Sequence, residues 1–132
     1  MKILNTIVIS LGIGIASLIW INYKQRKKKK HVLIFGSSMN PPTKSGHYAL
    51  IKHYSKMYDE IWILPVYKHI YTSKSSLISF NHRYKMSQLT FKSIKNCYVK
   101  SIEKDVILQN ATSTQIGTID VVKYIQKVYD NV

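Results

Sequence analysis

The sequence is poor in cysteine and in acidic residues. Its 132 residues include one cysteine, Cys97. This excludes a disulfide within the chain and a cysteine-based metal site, and it suits a reducing compartment. Six Asp and Glu residues stand against 20 Lys and Arg residues, so the formal net charge is +14. Such an excess suits anionic partners, with an AT-rich coding bias as the alternative source of lysine.

Two common phosphate-binding patterns are missing as well. The segment 36–47, which follows an apolar run, has neither a GxGxxG dinucleotide fingerprint nor the Gly-Lys-Ser/Thr of a P-loop. His31, His53 and His69 lack the spacing of metal ligands, so we predict no metal-binding cluster. The chain also has no internal repeat and no low-complexity linker.

One long uncharged and mostly apolar stretch is present, at residues 3–22. Its length matches the roughly 20 residues that cross a bilayer as a helix. Six basic residues follow it within 24–30, whereas only Lys2 precedes it. By the positive-inside rule the basic flank stays in the cytosol. We therefore predict a single-pass anchor over 1–23, a basic juxtamembrane segment over 24–30 and a cytosolic domain over 31–132. The alternatives are an apolar helix buried in the fold or a misassigned start codon.

Apolar runs and helical spacings alternate through the remainder. They predict strands over 31–35 and 61–66, extended segments over 98–102 and 106–108, and helices over 46–57, 79–94 and 118–129. The buried stripes are expected at Leu50, Ile51, Tyr54 and Met57, at Met86, Leu89, Thr90 and Ile94, and at Ile119, Val122, Ile125 and Val128. This order predicts an α/β fold, a Rossmann-like parallel sheet of about three strands with flanking helices.

The predicted sheet is small. About 100 residues bury a marginal core, and three strands leave an open edge. We therefore expect a homo-oligomer or another partner that completes the sheet, or a truncated reading frame. Ligands of such sheets bind beyond the carboxyl ends of the strands, where the loops 36–47 and 67–76 fall.

The first loop carries the chemistry. Residues 32–47 read VLIFGSSMNPPTKSGH, in which the end of a strand and the start of a helix present backbone N–H groups to phosphate. Four segments and one acidic residue, Glu103, stand in order at fitting spacings; the segments are 36–42 (GSSMNPP), 58–65 (YDEIWILP), 79–86 (SFNHRYKM) and 117–120 (GTID). Together they resemble the N-terminal half of the nicotinate/nicotinamide mononucleotide adenylyltransferase family, within the His-x-Gly-His nucleotidyltransferases.

The resemblance implies the reaction and the site. It implies transfer of AMP from ATP to a pyridine mononucleotide with release of pyrophosphate, in NAD biosynthesis, with Mg²⁺ accompanying ATP and no nucleic acid as partner. The catalytic residues implied are His47, Lys44 and Thr43. The nucleotide- and phosphate-binding residues implied are Gly36, Ser37, Ser38, Asn40, Gly46, Lys74, Arg83 and Thr118.

Two departures from the family pattern keep alternatives open. The first motif His is missing, and either Thr43 or Lys44 takes its place. The later Ser/Thr-rich segment that ends in Arg is absent from this sequence. A catalytically inactive, membrane-tethered nucleotide-binding remnant and a cytidylyltransferase are therefore the alternative functions. Arg83 is alternatively a structural link to the second strand, and Thr118 a helix cap.

Overall fold

Three parallel strands form the sheet of this protein. The computed structural model describes residues 29–68, 76–110, 116–129 and 132. The strands are β1 (Val32–Ser37), β2 (Glu60–Pro65) and β3 (Cys97–Val99), in the spatial order β1-β2-β3. Val32 lies opposite Glu60, and Ile61 lies opposite Cys97. The predicted Rossmann-like α/β sheet of three parallel strands is confirmed.

Helices connect and flank the strands. A π-helical turn (Lys44–Tyr48) runs directly into α1 (Ala49–Tyr54), and α2 (Phe80–Phe91) lies between β2 and β3. Two further helices follow β3, α3 (Ile102–Gln109) and α4 (Thr118–Val128). The three helices expected from the sequence are therefore present, with ends that differ by a few residues.

The predicted extended segment over 106–108 is wrong, because these residues belong to α3. Ile102 and Val106 are one helical turn apart and are both buried against the sheet. Glu103 and Asp105 lie in the first turn, where the negative charge of a carboxylate interacts favourably with the positive end of the helix dipole. The strand predicted over 98–102 is correspondingly short and ends at Val99.

The central strand β2 separates two apolar cores. On the α1–α2 face, Ile61 and Ile63 pack in a buried cluster that also contains Met39, Ile51, Phe91 and Ile94. On the α3–α4 face, Trp62 and Leu64 pack with Ile102, Val106, Val121 and Ile125. Helices thus cover both sides of the sheet, which explains why β2 is apolar at consecutive positions.

The helices are rotated away from the faces expected from the sequence. The side chains that α2 buries are Arg83, Ser87 and Phe91, and those of α4 are Val121 and Ile125. Several residues expected in the core are instead exposed: Leu50, Met57, Leu89, Ile119, Val122 and Val128. The stripe predictions are therefore wrong for these positions. An apolar stripe alone does not fix rotation in helices that contact a small sheet.

The predicted anchor over 1–23 lies outside the described residues, as does 24–28 of the juxtamembrane segment. Across the ranges that the structure describes, every helix is too short or too polar to span a bilayer. The anchor therefore remains a prediction from the sequence.

Candidate nucleotide-binding site

The loop after β1 is fixed by backbone hydrogen bonds. The Ser37 carbonyl accepts from the Val66 N–H (3.0 Å), which ties the ends of β1 and β2 together. Met39 follows with a φ of 50°, in the left-handed region, and its side chain is fully buried in the core. A residue other than glycine tolerates this conformation when its surroundings hold it in place. The buried Met39 side chain therefore anchors the loop to the core between the sheet and the α1–α2 layer.

The His47 imidazole links β1 to the π-helical turn. Its Nδ1 accepts from the Thr43 backbone N–H at 3.1 Å and also lies 3.1 Å from Thr43 Oγ1. Its Nε2 lies 3.2 Å from Ser37 Oγ. A backbone N–H can only donate, so Nδ1 is the acceptor and Nε2 carries the hydrogen of the neutral ring. The Ser37 oxygen accepts this hydrogen and keeps its own hydroxyl hydrogen to donate to a ligand.

Gly46 allows the turn to close on Thr43. A Cβ at position 46 would lie 2.8 Å from Thr43 Oγ1, which is closer than a Cβ atom approaches its non-bonded neighbours. The Tyr48 N–H donates to the Thr43 carbonyl five residues earlier (2.9 Å), which gives the turn its π-helical pitch. Single π-turns of this kind are frequent at functional sites. The Gly-His pair is therefore required to bring the imidazole beneath Thr43.

Arg83 supports the loops from α2. Its side chain is 1 % exposed, and its guanidinium donates to four backbone carbonyls. Those carbonyls belong to Ile78 (2.7 Å), Ser38 (2.7 Å), Val66 (2.7 Å) and Tyr67 (3.5 Å). Burial lowers the pKa of the guanidinium, and the Glu103 charge opposes that shift. This geometry favours the alternative in which Arg83 holds the site together, and its direct phosphate contact stays a prediction.

Asn40 connects the first loop to the segment that precedes α2. Its Oδ1 accepts from the Ile78 N–H at 3.3 Å, and the Asn40–Pro41 peptide bond is cis. Arg83 of α2 also donates to the Ile78 carbonyl, so the backbone of Ile78 is bound by one side chain from the first loop and one from α2. Asn40 therefore shapes the loop, and its role in nucleotide binding stays a prediction.

A cavity of about 520 Å³ opens at the carboxyl ends of β1 and β2. Gly36 and Thr118 line it together, from β1 and from the first position of α4. The remaining lining residues are Ile34, Leu64, Val66, Lys68, Glu103, Ile116, Gly117, Val121 and Val122. A Cβ on Gly36 would meet no protein atom within 4 Å, so the space above Gly36 is open. The cavity is largely apolar with Lys68 and Glu103 as its charged groups.

Glu103 and Lys68 are lining residues absent from the predicted site list. Glu103 Oε2 accepts from the Tyr67 N–H at 3.0 Å, so it fixes the loop whose carbonyls bind Arg83. Burial raises the pKa of the Glu103 carboxyl, while the Tyr67 hydrogen bond and the Arg83 charge act in the opposite direction. The signal available in the sequence was the acidic residue that closely follows the third strand.

The remaining predicted residues are dispersed. Thr43, Ser37 and His47 make one contact group. The Ser38 carbonyl instead accepts from Arg83, outside that group. Lys44 instead lines a separate groove between the π-helical turn and α2. Lys74 lies outside the described residues. Within the part of the chain that the structure describes, no three His, Cys, Asp or Glu side chains are grouped as metal ligands.

The fold has a counterpart among solved structures. It is similar to the crystal structure of a "Putative Nicotinate-nucleotide Adenylyltransferase" from Vibrio parahaemolyticus, with a TM-score of 0.58 and 24 % sequence identity. The similarity covers 79 % of this chain and 53 % of that chain. The two proteins share the fold. This chain spans about half the length of the solved structure that it matches.

The comparisons of sequence assign no family to this chain. No family model matches this chain. No curated protein matches it either.

Proposed function

We propose that this chain forms the phosphate-binding part of a nucleotidyltransferase that transfers AMP from ATP to nicotinate or nicotinamide mononucleotide. The reaction forms a bond between a phosphate oxygen of the mononucleotide and the α-phosphorus of ATP. The bond from that phosphorus to the bridging oxygen of the β-phosphate breaks, and pyrophosphate leaves. The described residues supply the first half of such a site.

The Ser37–His47–Thr43 group carries the proposal. It places an imidazole N–H and a hydroxyl at the carboxyl end of β1, beside the loop that the sequence resemblance assigns to phosphate binding. Both are neutral donors on a rigid frame, held by Arg83 and by the buried Met39. Donors that are positioned before the reaction stabilise charge that develops on phosphate oxygens.

We assign His47 to the oxygens of the triphosphate. Because Thr43 holds Nδ1, the ring is oriented so that its Nε2–H points toward the strand end, where it donates to Ser37 Oγ. A phosphate oxygen can replace Ser37 Oγ as acceptor without a change of tautomer. Thr43 then takes the orienting position in place of the missing first histidine of the motif. Lys44 lines the separate groove beside α2, so its proposed contribution is positive charge at longer range and not a direct contact.

Magnesium fits this site as a companion of ATP. Phosphoryl oxygens supply much of its coordination in many nucleotide sites, with one or two protein carboxylates. Glu103 is the carboxylate that lines the cavity, and its hydrogen bond to Tyr67 leaves the second oxygen for a metal-bound water or cation. The ion, when bound with ATP, would neutralise charge on the phosphates.

The full 132-residue chain in detergent provides the first test. We expect ATP with Mg²⁺ to bind in calorimetry, and pyrophosphate release to depend on nicotinate or nicotinamide mononucleotide. His47→Ala should lower the turnover by about 100- to 1,000-fold, the usual loss for a preorganised donor. Undiminished activity of a folded His47→Ala variant would refute the role of His47.

Gly36→Ala gives a control for direct contact at β1. The new methyl group meets no protein atom within 4 Å, so the free energy of unfolding should change little. If a phosphate approaches the Gly36 backbone, the same methyl group should weaken ATP binding. Unchanged ATP affinity would remove Gly36 from the site while leaving the His47 group untouched.

The same assay separates the alternative functions. CTP in place of ATP, with phosphorylated amino alcohols as acceptors, tests the cytidylyltransferase. Binding of ATP without turnover, in a chain whose circular dichroism shows helix and strand, supports the remnant. The preference for the acid or amide mononucleotide follows from the relative turnover.

We propose further that a second copy or another chain completes the sheet beside β1. Ile34 is 38 % exposed on this edge, and the apolar cavity borders it. β1 lacks the charges and prolines that usually protect an edge strand. Light scattering on the full chain should therefore show a dimer or higher species. A strict monomer would leave a separate protein as the only candidate partner.

We propose finally that residues 1–23 anchor the chain in a membrane, with the domain over 31–132 on the cytosolic side. The uncharged run over 3–22 and the basic residues after it support this orientation. Alkaline extraction of membranes should leave the chain in the pellet. Release of the whole chain into the supernatant would contradict the anchor.

A further inference from the structure

The two helical layers differ in charge. Among the six acidic residues of the chain, none lies within 31–58 or 61–102. The layer built by the π-helical turn, α1 and α2 therefore carries no carboxylate, while six of its lysines are exposed: Lys44, Lys52, Lys56, Lys85, Lys92 and Lys95. In the opposite layer, Lys104, Lys123 and Lys127 are balanced by Glu103, Asp105 and Asp120. Lys68 and Lys100 add positive charge on the α3–α4 side. The layer of the π-helical turn, α1 and α2 nevertheless carries more of the exposed lysines and lacks carboxylates to offset them.

Large apolar side chains are interspersed among these lysines. On α2, Lys85, Leu89 and Lys92 follow each other at helical spacing on the outward side, and Leu89 is 56 % exposed. Beside Lys52 and Lys56, the side chains of Leu50 and Met57 are 43 % and 61 % exposed. A surface that combines lysine amines with exposed apolar side chains matches the boundary between lipid headgroups and acyl chains.

A groove of about 320 Å³ lies within this layer, between the π-helical turn and α2. Lys44 and Lys92 line it, together with Leu89 and Thr90. The remaining lining side chains, Tyr48 and Ser93, join their hydroxyls in a hydrogen bond of 2.9 Å. Amines and hydroxyls around an open groove offer donors to an anionic headgroup.

We propose that the acid-free layer docks on an anionic lipid surface. Nucleic acid is the competing polyanion, and two features disfavour it. Beyond residue 30 the sequence has one arginine, Arg83, which is buried and bound to carbonyls, although arginine is the preferred side chain for bidentate contacts to bases and phosphates. The large apolar side chains that this layer exposes, Leu50, Met57 and Leu89, are also aliphatic. The Tyr48 ring in the groove is half-buried and lies under the Lys52 amine, so the layer offers little aromatic surface for base stacking.

The sequence before the domain gives independent support. A run of 20 uncharged residues and a cluster of basic residues precede β1, a combination typical of the cytoplasmic side of an anionic leaflet. Docking of the acid-free layer goes beyond this predicted anchor, because it assigns the lipid contact to lysines of the folded domain. It does not depend on the proposed adenylyl transfer.

Lysine acylation on the full chain tests the proposal. The chain is reconstituted with phosphatidylcholine vesicles, or with vesicles that also contain phosphatidylserine, and acylation rates are measured by mass spectrometry. One lysine near an anionic leaflet contributes about 1 kcal/mol, so acylation of Lys52, Lys85 and Lys95 should fall about fivefold with phosphatidylserine. Lys123 and Lys127 should change little, since they lie on α4 in the other layer.

Two matched triple variants complete the test. Lys85→Gln/Lys92→Gln/Lys95→Gln should abolish the phosphatidylserine-dependent protection of Lys52 and Lys56. Lys104→Gln/Lys123→Gln/Lys127→Gln removes the same charge from the other layer and should preserve it. Circular dichroism checks the fold of both. Equal protection in the two lipids, or equal effects of the two variants, overturns the proposal. So does lysine-dependent binding of labelled RNA without any lipid-dependent protection.

Discussion

The two faces of the sheet differ in how completely they are covered. On the α1–α2 face, a buried core reaches from β1 to β3 and is closed at the top by the Arg83 guanidinium. On the α3–α4 face, Trp62 and Leu64 of β2 are covered, yet Ile34 of β1 stays exposed beside a cavity of about 520 Å³. The Arg83 guanidinium and the carbonyls that it binds, the Arg83 clamp, complete the first face. The second face lacks apolar cover at the β1 edge.

One face of the sheet therefore supports the loops of the candidate site, and the other face leaves space for a ligand. The closed face holds the Ser37–His47–Thr43 group in place, because its loops are hydrogen-bonded to one another through Arg83 and Asn40. The open face provides the space in which a ligand or a further strand can lie next to Gly36 and Thr118. Substitutions on the two faces should therefore have unequal effects, which the following experiments measure.

The largest loss of stability is expected from Arg83→Met. Methionine fills comparable space but leaves four carbonyls of the closed face without their donor. Since each buried unsatisfied acceptor costs about 1–3 kcal/mol, the free energy of unfolding should fall by about 3 kcal/mol or more. Urea denaturation of the full chain measures it. Lys85→Met, on the exposed side of the same helix, should change it by about 0.5 kcal/mol or less. Similar values for the two variants would contradict the clamp.

On the α3–α4 face, two isoleucines of α4 should differ. Ile125 is 3 % exposed, so Ile125→Ala should cost about 2–4 kcal/mol through lost packing and a residual cavity. Ile119 is 68 % exposed, and Ile119→Ala should cost about 0.5 kcal/mol or less. The comparison uses the same denaturation experiment. A large cost at Ile119 would mean that this position is covered, as in an oligomer.

A double-mutant cycle probes the His47 turn. Gly46→Ala alone forces the new methyl group against Thr43 Oγ1 and should cost about 1–2 kcal/mol. Thr43→Ala removes that oxygen, so the double variant should regain part of the loss. A coupling energy near 1 kcal/mol is expected from unfolding midpoints. Strict additivity would show that the Thr43–Gly46 contact does not limit the turn.

The smallest effect concerns the Cys97 thiol. Burial raises its pKa to about 12, so the neutral thiol persists in the folded state well above the pH at which a free thiol ionises. Its contribution to stability is full below the unfolded pKa and is lost as the pH rises toward 12. Near pH 8, Cys97 should react slowly with a thiol reagent until urea is added.

A matched probe tests the open face. Val122 is 39 % exposed and lines the cavity, so Val122→Cys in a Cys97→Ser background should react rapidly. Equal reaction rates for Cys97 and for the new cysteine would contradict the claim that the α3–α4 face is more accessible.

The sequence predicted the order of elements well and the rotation of helices poorly. Residues 61–65 of β2 form a continuous apolar run, a pattern typical of a central strand buried on both faces. Leu89 and Val122 were expected in the core because they match helical spacing, yet both are exposed. On α2 the buried positions are polar ones such as Arg83 and Ser87. Arg83 is held there by hydrogen bonds to loop carbonyls and Ser87 by one to the Arg83 carbonyl, while Phe91 is the apolar residue that α2 buries.

The site was predicted in part for a similar reason. Gly46 and His47 are adjacent in sequence, and local geometry is enough to bring them to Thr43. The partnership of His47 with Ser37 depends on how β1 meets the turn, and Lys44 turned out to line a different groove. Glu103 acts through Tyr67, from an element 36 residues further along the chain. Spacing along the chain carries no information about such contacts.

By itself, the sequence determined a parallel α/β sheet and a loop of small and polar residues at the end of its first strand, because both depend on local patterns of apolar, small and polar residues. The charge excess could also be read directly, although not its location. Tertiary structure decided which helix side is buried, which oxygens Arg83 satisfies and where the lysines collect. Those outcomes depend on packing between segments distant in the chain, since the same helix can present different sides to a sheet according to what else contacts it.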